Sequence, residues 1–594
     1  MGIRHLYTHL RPYSRPETFS AGNPTSLYID GPALCHHIYH HLFNSLTRSG
    51  NAFETTLPYR VFAAAFLSYL SRLESSGFTI QKILFDSALP ASKIPTRISR
   101  LEDSLRKLRA YRSANPSLRS GAPAVIDNPE TFFSPTRENA FASRTQHLAA
   151  PPFIVAAALA CLREHEVYKH LTETVLGEAD PFLASWAIQR GGIVLTGDSD
   201  LLVFGDSVKG WGVMMMQDLS FTSSGVTARI FRPHDIRAAL KFPLLEIAWQ
   251  TEVNTGFSSL NQILDLLQRI ELRRAQGAGG EKVSKAFRRE YELPSLPQEA
   301  GRLVVEPRIG ELLFLARKGV KERKMYLPFL NEDPQRAPAW EVGAGVRQLA
   351  YRLLFPNGEV AEVFRRGTRI TETSIACEPP KGLLLHLTQA AQENPRSWYA
   401  ATILNLIVTV AADRNQPGPS LRELTAAATS LLPEPAESQS RQKWTWDLVH
   451  LFASVQAGWY SLLLLREVLA FLDMEEAQVL RGLPDVGKEG LLDGAVFLAA
   501  LDGQTTSAVE AAKEALATYK AALQAREDQE KEEEQSKEEG EEEEEEQEAV
   551  NPARKRPSSA QDPKAASSTT KKQKRKKNSA VVDKANMFAL LADM

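Results

Sequence analysis

Cysteine is scarce, with Cys35, Cys161 and Cys377 the only three among 594 residues and no CxxC pair among them. That argues against a disulfide framework or a cysteine zinc site, and it suits a reducing compartment. The opening Met1-Gly2-Ile3-Arg4-His5-Leu6 reaches no apolar signal region. The uncharged stretch from Ser397 to Ala412 is shorter than the ~20 residues that cross a bilayer, and it contains Asn405. A buried helix accounts for it, so no membrane partner is expected. There is no HExxH, so His36, His37, His40 and His41, crowded on one predicted helix, read as packing and polar residues rather than a metal clamp.

Net charge is also nearly absent, at −2, but it is segregated. From Glu527 onward there are 18 acids and 13 bases, which leaves 54 acids and 57 bases in residues 1–526. A mildly basic body is compatible with a nucleic-acid partner. Single hydrophobic cores stop growing at about 250–300 residues, so a chain of this length holds more than one.

Short apolar strands alternate with helical runs over the first 210 or so residues, which predicts an α/β fold with a parallel twisted sheet flanked by helices. Leu27-Tyr28-Ile29-Asp30, Ile83-Leu84-Phe85-Asp86 and Ile193-Val194-Leu195-Thr196 read as strands. Helices are expected from Ala33 to about Leu46, Val61 to Leu73, Phe153 to Leu162 and Glu178 to Arg190. The last carries Pro181 in its first turn and ends at Gly191-Gly192. Residues 110–150 look like an irregular insertion in a domain spanning 1–270. Residues 271–382 read as a linker and mixed region, with Arg302 to Val305 adding strand. A mostly α-helical C-terminal domain follows over 383–525, its Trp444, Trp446 and Trp459 reading as core. A disordered tail, acidic and then basic, is expected over 526–594.

Acidic side chains at the predicted strand ends carry the chemistry. Asp30, Asp86 and Asp198 each end or directly follow a strand, and in a parallel sheet the carboxyl ends of strands share one edge. Asp200 lies on the same loop as Asp198, while Glu178 and Asp180 open the helix before it. Any one of these acids suits a turn or a helix cap; the joint pattern points elsewhere. Two carboxylates about 5 Å apart repel by roughly 3 kcal/mol at an effective dielectric of 20, so six together require compensation. Hard divalent cations provide it: two Mg²⁺ or Mn²⁺ ions, which prefer oxygen ligands, suit phosphodiester hydrolysis.

These motifs resemble those of the XPG/flap-endonuclease superfamily. The opening hexapeptide is similar to its Met-Gly-Ile-x-Gly-Leu start. Phe85-Asp86 followed by Pro90, Lys93, Arg97 and Arg100 resembles its Phe-Asp-Gly-x-x-Pro segment and basic arch helix. Gly177-Glu178-Ala179-Asp180 and Leu195-Thr196-Gly197-Asp198-Ser199-Asp200-Leu201-Leu202 resemble its internal region. Tyr28-Ile29-Asp30-Gly31-Pro32-Ala33 points further, to the Asteroid-type branch. The resemblance covers roughly residues 1–270. It implies a PIN-like nuclease core, two Mg²⁺ ions, and cutting at branched or single-stranded ends, with Lys93 and Arg100 at the scissile phosphate; Arg97 divides evenly between that role and an ordinary surface one. Ser87 and His5 stand where the family has glycine. The family's Gly-x-Asp-Tyr segment has no clean equivalent, and Glu252 is a candidate substitute acid.

The implied function is a metal-dependent, structure-selective nuclease acting on DNA or RNA. The alternative is a nuclease-like scaffold that acts by binding, for example in RNA regulation. Arg554-Lys555-Arg556 and the run containing Lys571, Lys572, Lys574, Arg575, Lys576 and Lys577 suit nuclear import, with a cytoplasmic location as the alternative. Asn586 to Leu591 suits docking of a protein partner.

Overall fold

The computed structural model describes residues 3, 5–45, 51–119, 148–222, 225–276, 283–296, 303–356, 358–414, 416–431, 443–486 and 491–501, with scattered positions from 509 to 524. The charged tail, both basic clusters and the Asn586–Leu591 segment lie outside them, as does most of the 110–150 insertion.

Eight strands form one sheet. They are β1 (Arg15–Phe19), β2 (Thr25–Asp30), β3 (Phe78–Phe85), β4 (Thr172–Thr174), β5 (Gly192–Thr196), β6 (Trp211–Met215), β7 (Ser220–Thr222) and β8 (Gly225–Phe231). Their order is β1-β8-β6-β5-β2-β3-β4, with β7 pairing β8 off this path. The five strands β4-β3-β2-β5-β6 run parallel; β8 joins β6 antiparallel, and β1 and β7 join β8 in the same sense.

Both faces of this parallel core are covered, which is why β6, the middle of β5 and the carboxyl halves of β2 and β3 are mostly apolar, although the short edge strand β4 reads Thr172-Glu173-Thr174. Side chains alternate between two cores. Leu27, Ile29, Ile83, Phe85 and Leu195 face one layer, packed with Leu34 and Ile38 of the helix Gly31–Ser45, Phe62 and Phe66 of Tyr59–Ser75, and Leu159 of Ile154–Glu164. Tyr28, Leu84 and Val194 face the other, with Leu183 and Ala187 of the helix Ala179–Arg190 and Ile247 of Leu244–Val253. Gly191 ends the helix before β5 at φ +74°, a left-handed conformation that costs glycine little.

Residues 303–305 form no strand. They lie beside β4 all the same: Thr174 N donates to Leu303 O at 2.7 Å, and its hydroxyl donates to Val305 O at 2.9 Å. The helix Pro307–Lys318 follows, and then a second sheet ordered β11-β10-β9, from β9 (Lys324–Tyr326), β10 (Glu359–Arg366) and β11 (Arg369–Ala376).

The elements after β11, with the helix Ala344–Leu354, are helical and share the first core. Phe153 stacks on Tyr460 at 5.6 Å between ring centroids, and Arg163 reaches Glu467 and Asp485 at 3.3 and 3.2 Å. At the centre is the 26-residue helix Trp446–Phe471, long and apolar enough to cross a membrane, of whose apolar window 89% is buried inside the protein. Its uncharged run from Leu448 to Leu465 exceeds the Ser397–Ala412 stretch. Its burial makes it a core helix. Trp444, Trp446 and Trp459 are buried as expected.

One buried ion pair ties these parts together. Arg347 Nε donates to Glu362 Oε1 at 2.6 Å, while its other nitrogens donate to Trp340 O and Ser461 Oγ at 2.8 and 3.0 Å. Tyr351 donates to the same carboxylate at 2.8 Å. Removing one partner strands the other charge in the interior. Arg347→Met is therefore expected to lose about 3–5 kcal/mol in urea unfolding. Arg347→Met/Glu362→Leu is expected to recover most of that loss.

Candidate metal centre

The order of the parallel strands reverses beside β2. From β2 the chain adds β3 and then β4 on one side, and returns to add β5 on the other. Crossover connections leave opposite faces at such a point, which opens a crevice at the carboxyl edge. Asp30 is the last residue of β2, Asp86 follows β3, and Asp198 lies two residues past the end of β5.

Glu178 and Asp180 reach the same edge through an element the sequence reading lacks. The three-residue strand β4 runs parallel to β3, so the chain leaves it at the carboxyl edge and enters the helix Ala179–Arg190 there. Asp86 Oδ1 accepts from Ala179 N at 2.7 Å, capping that helix. Ser87, standing where the family has glycine, fastens the two strand exits together. Its N donates to Gly177 O at 3.0 Å and its hydroxyl to Val175 O at 2.6 Å.

The other acids are held as closely. Asp30 accepts from Ala33 N at 3.0 Å and from the Thr196 hydroxyl at 2.8 Å. The same hydroxyl accepts from Asp198 N at 3.0 Å, and Asp198 Oδ1 accepts from Asp200 N at 3.0 Å. Asp200 Oδ1 accepts from Ile3 N at 2.7 Å, which brings Ile3 to the site. His5, at φ +66°, adopts the left-handed conformation that the family's glycine takes freely.

Electrostatics join all six. Burial, and after it Asp86, pushes the Asp30 carboxyl up to about 7, against the hydrogen bonds from Ala33 and Thr196. Asp200 is pushed up to about 7 by burial and then Asp198, with Lys93 opposing. Asp86 rises to about 6, mainly through burial, with Ala179 N–H opposing and Glu178 adding. Asp180 lies well above the usual carboxylate range through burial and the combined fields of Asp30, Asp198, Asp86 and Glu178.

The nearest compensating charge is Lys93, in a short turn ahead of the helix Ile94–Ala114. Its Nζ is 2.8 Å from Glu178 Oε1 and 3.7 Å from Asp200 Oδ2. Burial acts to lower this ammonium's pKa, but Glu178, Asp200 and Asp198 outweigh it and the net shift is upward. Arg100, about two turns further on, feels Asp198 and Asp86. Arg97 is a structural residue: it pairs with Glu311 at 2.7 Å and lies 4.4 Å over the Tyr326 ring. Glu252 is exposed on the helix Leu244–Val253 and is not among the principal charges acting on the four perturbed carboxylates. His36 and His40 stack at 6.4 Å, as do His37 and His41 at 6.5 Å.

Two residues at the site escaped the sequence reading. Thr196 positions Asp30 and Asp198 together, and its place directly before Gly197-Asp198 was the available signal. Tyr291 packs against Phe204 and Phe287 at 5.3 and 5.0 Å; burial, with Asp200 adding, drives its phenol far up. Nothing in the surrounding loop-like sequence marks it.

Six carboxylates without sulfur are the donor set of a hard divalent cation; burial, and after it their mutual fields, raises four of them, and Lys93 only partly offsets those fields. Among the described residues no three such groups form a ready-made cage. The chemistry of the donors fits a hard divalent cation such as Mg²⁺ or Mn²⁺.

Together, the α/β fold and its acid-lined edge define a nuclease-family scaffold. Residues 150–377 match the family described as XPG domain containing. The chain is similar to Asteroid homolog 1 of Schizosaccharomyces pombe, 23% identical over 410 residues, or 64% of this chain. The match spans 66% of that relative's length, just under two thirds. Among solved structures it is similar to the catalytic core of Rad2 in complex with DNA substrate, with 14% identity, a TM-score of 0.26, and coverage of 53% of this chain and 92% of that one. It is also similar to human GEN1 in complex with Holliday junction DNA, with 12% identity, a TM-score of 0.27, and coverage of 53% and 72%. The match over residues 150–377 and the similarity to Asteroid homolog 1 support the resemblance to the XPG superfamily and its Asteroid-type branch.

The raised carboxyls fix a pH dependence. At pH 6 the folded protein holds protons on Asp30 and Asp200 that an unfolded aspartate, with a pKa near about 3.9, has lost. Over about pH 4–7 the folded state binds more protons, so stability rises as pH falls. In EDTA the melting temperature is expected to be several degrees higher near pH 5.5 than at pH 8, with Asp30→Asn flattening the profile. A melting temperature that climbs with pH would mean that the acids do not share one field.

Proposed function

We propose that this chain is a metal-dependent, structure-selective nuclease that hydrolyses phosphodiester bonds of DNA or RNA, including branched or single-stranded substrates. The observation that carries this reading is the convergence of Asp30, Asp86, Glu178, Asp180, Asp198 and Asp200 on one sheet edge, with the carboxyls of Asp30, Asp86, Asp180 and Asp200 raised and a single lysine among them. These six residues would hold two Mg²⁺ or Mn²⁺ ions, which, when bound, supply Lewis acidity and an activated water.

The protein's own groups do the rest. Thr196 and the backbone N–H groups of Ala33, Ala179 and Ile3 hold the carboxylates in place. Lys93 and Arg100 stand beside the acids, where cations steady an incoming phosphate. Glu252 is given no role. The Arg554–Arg556 and Lys571–Lys577 clusters would direct the protein to the nucleus, and Asn586–Leu591 would dock a protein partner.

Two observations favour a second reading, a nuclease-like scaffold that acts by binding. Lys93 already lies between Glu178 and Asp200, and the carboxylates form no ready cage among the described residues. Calorimetry with Mn²⁺ separates the two, because a scaffold takes up no stoichiometric metal. On flap, hairpin and single-stranded DNA and RNA, Asp198→Ala is expected to lower the cleavage rate by at least about 10²-fold. Wild-type rates from that variant would remove the acid edge from the chemistry. Lys93→Ala is expected to cut the rate by roughly 10²-fold while Mn²⁺ binding persists.

A further inference from the structure

The lysine beside the acids stands on a helix whose first half has little apolar footing. Lys93 is the N-cap of Ile94–Ala114, and the buried side chains of that helix, Leu105 and Leu108, come about three and four turns later. Ile94 is exposed, and no side chain over 94–104 is fully buried. The specific tether of this half is Arg97, one turn past Lys93. Its Nη1 donates to Glu311 Oε2 at 2.7 Å, and its guanidinium lies 4.4 Å over the Tyr326 ring. Both partners of the pair are largely shielded, with side chains 19% and 13% exposed.

Glu311 is itself placed by the frame of the acid edge. It belongs to the helix Pro307–Lys318, which starts where the Glu306 carboxylate accepts from Arg308 N and Ile309 N at 3.0 and 3.2 Å. Tyr460 of the long central helix donates to that same carboxylate at 2.7 Å. Just before it, Val305 O accepts from the Thr174 hydroxyl at 2.9 Å, which registers this helix on β4, the strand whose exit leads to Glu178 and Asp180. At Gly310 a methyl group would come within 3.0 Å of the Ser87 Cβ. Glycine there lets the helix pass directly against the residue that follows Asp86.

We infer that Glu311 is a positioning residue: through Arg97 it holds the start of the helix Ile94–Ala114 and so sets Lys93 against Glu178 and Asp200. Lys93 and Arg97 are four residues apart and share one face of the helix. A helix start that rolls or frays at Arg97 therefore carries the ammonium with it, and a misplacement of about 1 Å costs a large part of a rate. Losing Glu311 also leaves the Arg97 charge without its partner in a shielded place. The consequence for cleavage rests on the nuclease reading; the anchoring does not.

The test uses the full chain and two readouts. In EDTA without nucleic acid, hydrogen exchange over residues 93–104 is expected to be at least about tenfold faster in Glu311→Ala than in wild type. Exchange in the strands β2 and β5 should stay unchanged, which checks that the variant is folded. With Mn²⁺ and a flap or single-stranded substrate, Glu311→Ala is expected to lower kcat about tenfold and to leave KM within about twofold. Glu311→Gln keeps an oxygen for Arg97 and is expected to stay within about threefold of wild type. In a Lys93→Ala background, Glu311→Ala is expected to cost less than about twofold, because the group it positions is gone. A residue that only stabilises the fold would cost as much there as in wild type. Wild-type exchange over 93–104 in a folded Glu311→Ala variant overturns the proposal, and so do additive losses with Lys93→Ala. If exchange rises in that variant yet wild-type protein cuts nothing with Mn²⁺, the anchor stands and the nuclease reading falls.

Discussion

Like charges held in a buried crevice are the constraint around which this molecule is organised. Burial raises Asp30, Asp86, Asp180 and Asp200 and each other's fields raise them further. A fold tolerates that only if other contacts over-determine the geometry. Here the over-determination is visible in detail. Each of Asp30, Asp86, Asp198 and Asp200 accepts a hydrogen bond from a backbone N–H, and Thr196 ties the central pair together. The sheet beneath is buried on both faces and offers little room for the strand ends to splay.

That constraint explains features that otherwise look incidental. Ile3 is tied to Asp200, so it belongs to the site although 197 positions separate the two. Ser87 fits where the family has glycine because its hydroxyl fastens β3's exit to β4's. Lys93 serves as an internal counter-charge to Glu178 and Asp200.

The helical half is part of the same body. Its long central helix meets the α/β half through Phe153, Arg163 and Glu306, the last accepting from Tyr460 at 2.7 Å. The helix Ile94–Ala114 is likewise fixed by ion pairs to later elements, so the space beside the acids is shaped by residues hundreds of positions away.

Much of the site was legible because its logic is local. An apolar strand of four to eight residues ending in Asp declares both the strand and the edge at which its side chain emerges; Asp30, Asp86 and Asp198 could be named on that ground, and Glu178 and Asp180 from the helix start at Pro181. The sequence by itself determined the alternation of strand and helix, the donor set and the apolar character of the core. Only the tertiary structure decided that Glu178 and Asp180 share the edge, since that depends on β4, three residues too short to leave a periodic signal. It also decided that Arg97 turns inward while Arg109 faces out, and that Glu252 stands apart from the principal charges at the site. These are consequences of long-range pairing, in which a residue's role is set by partners that no local pattern encodes.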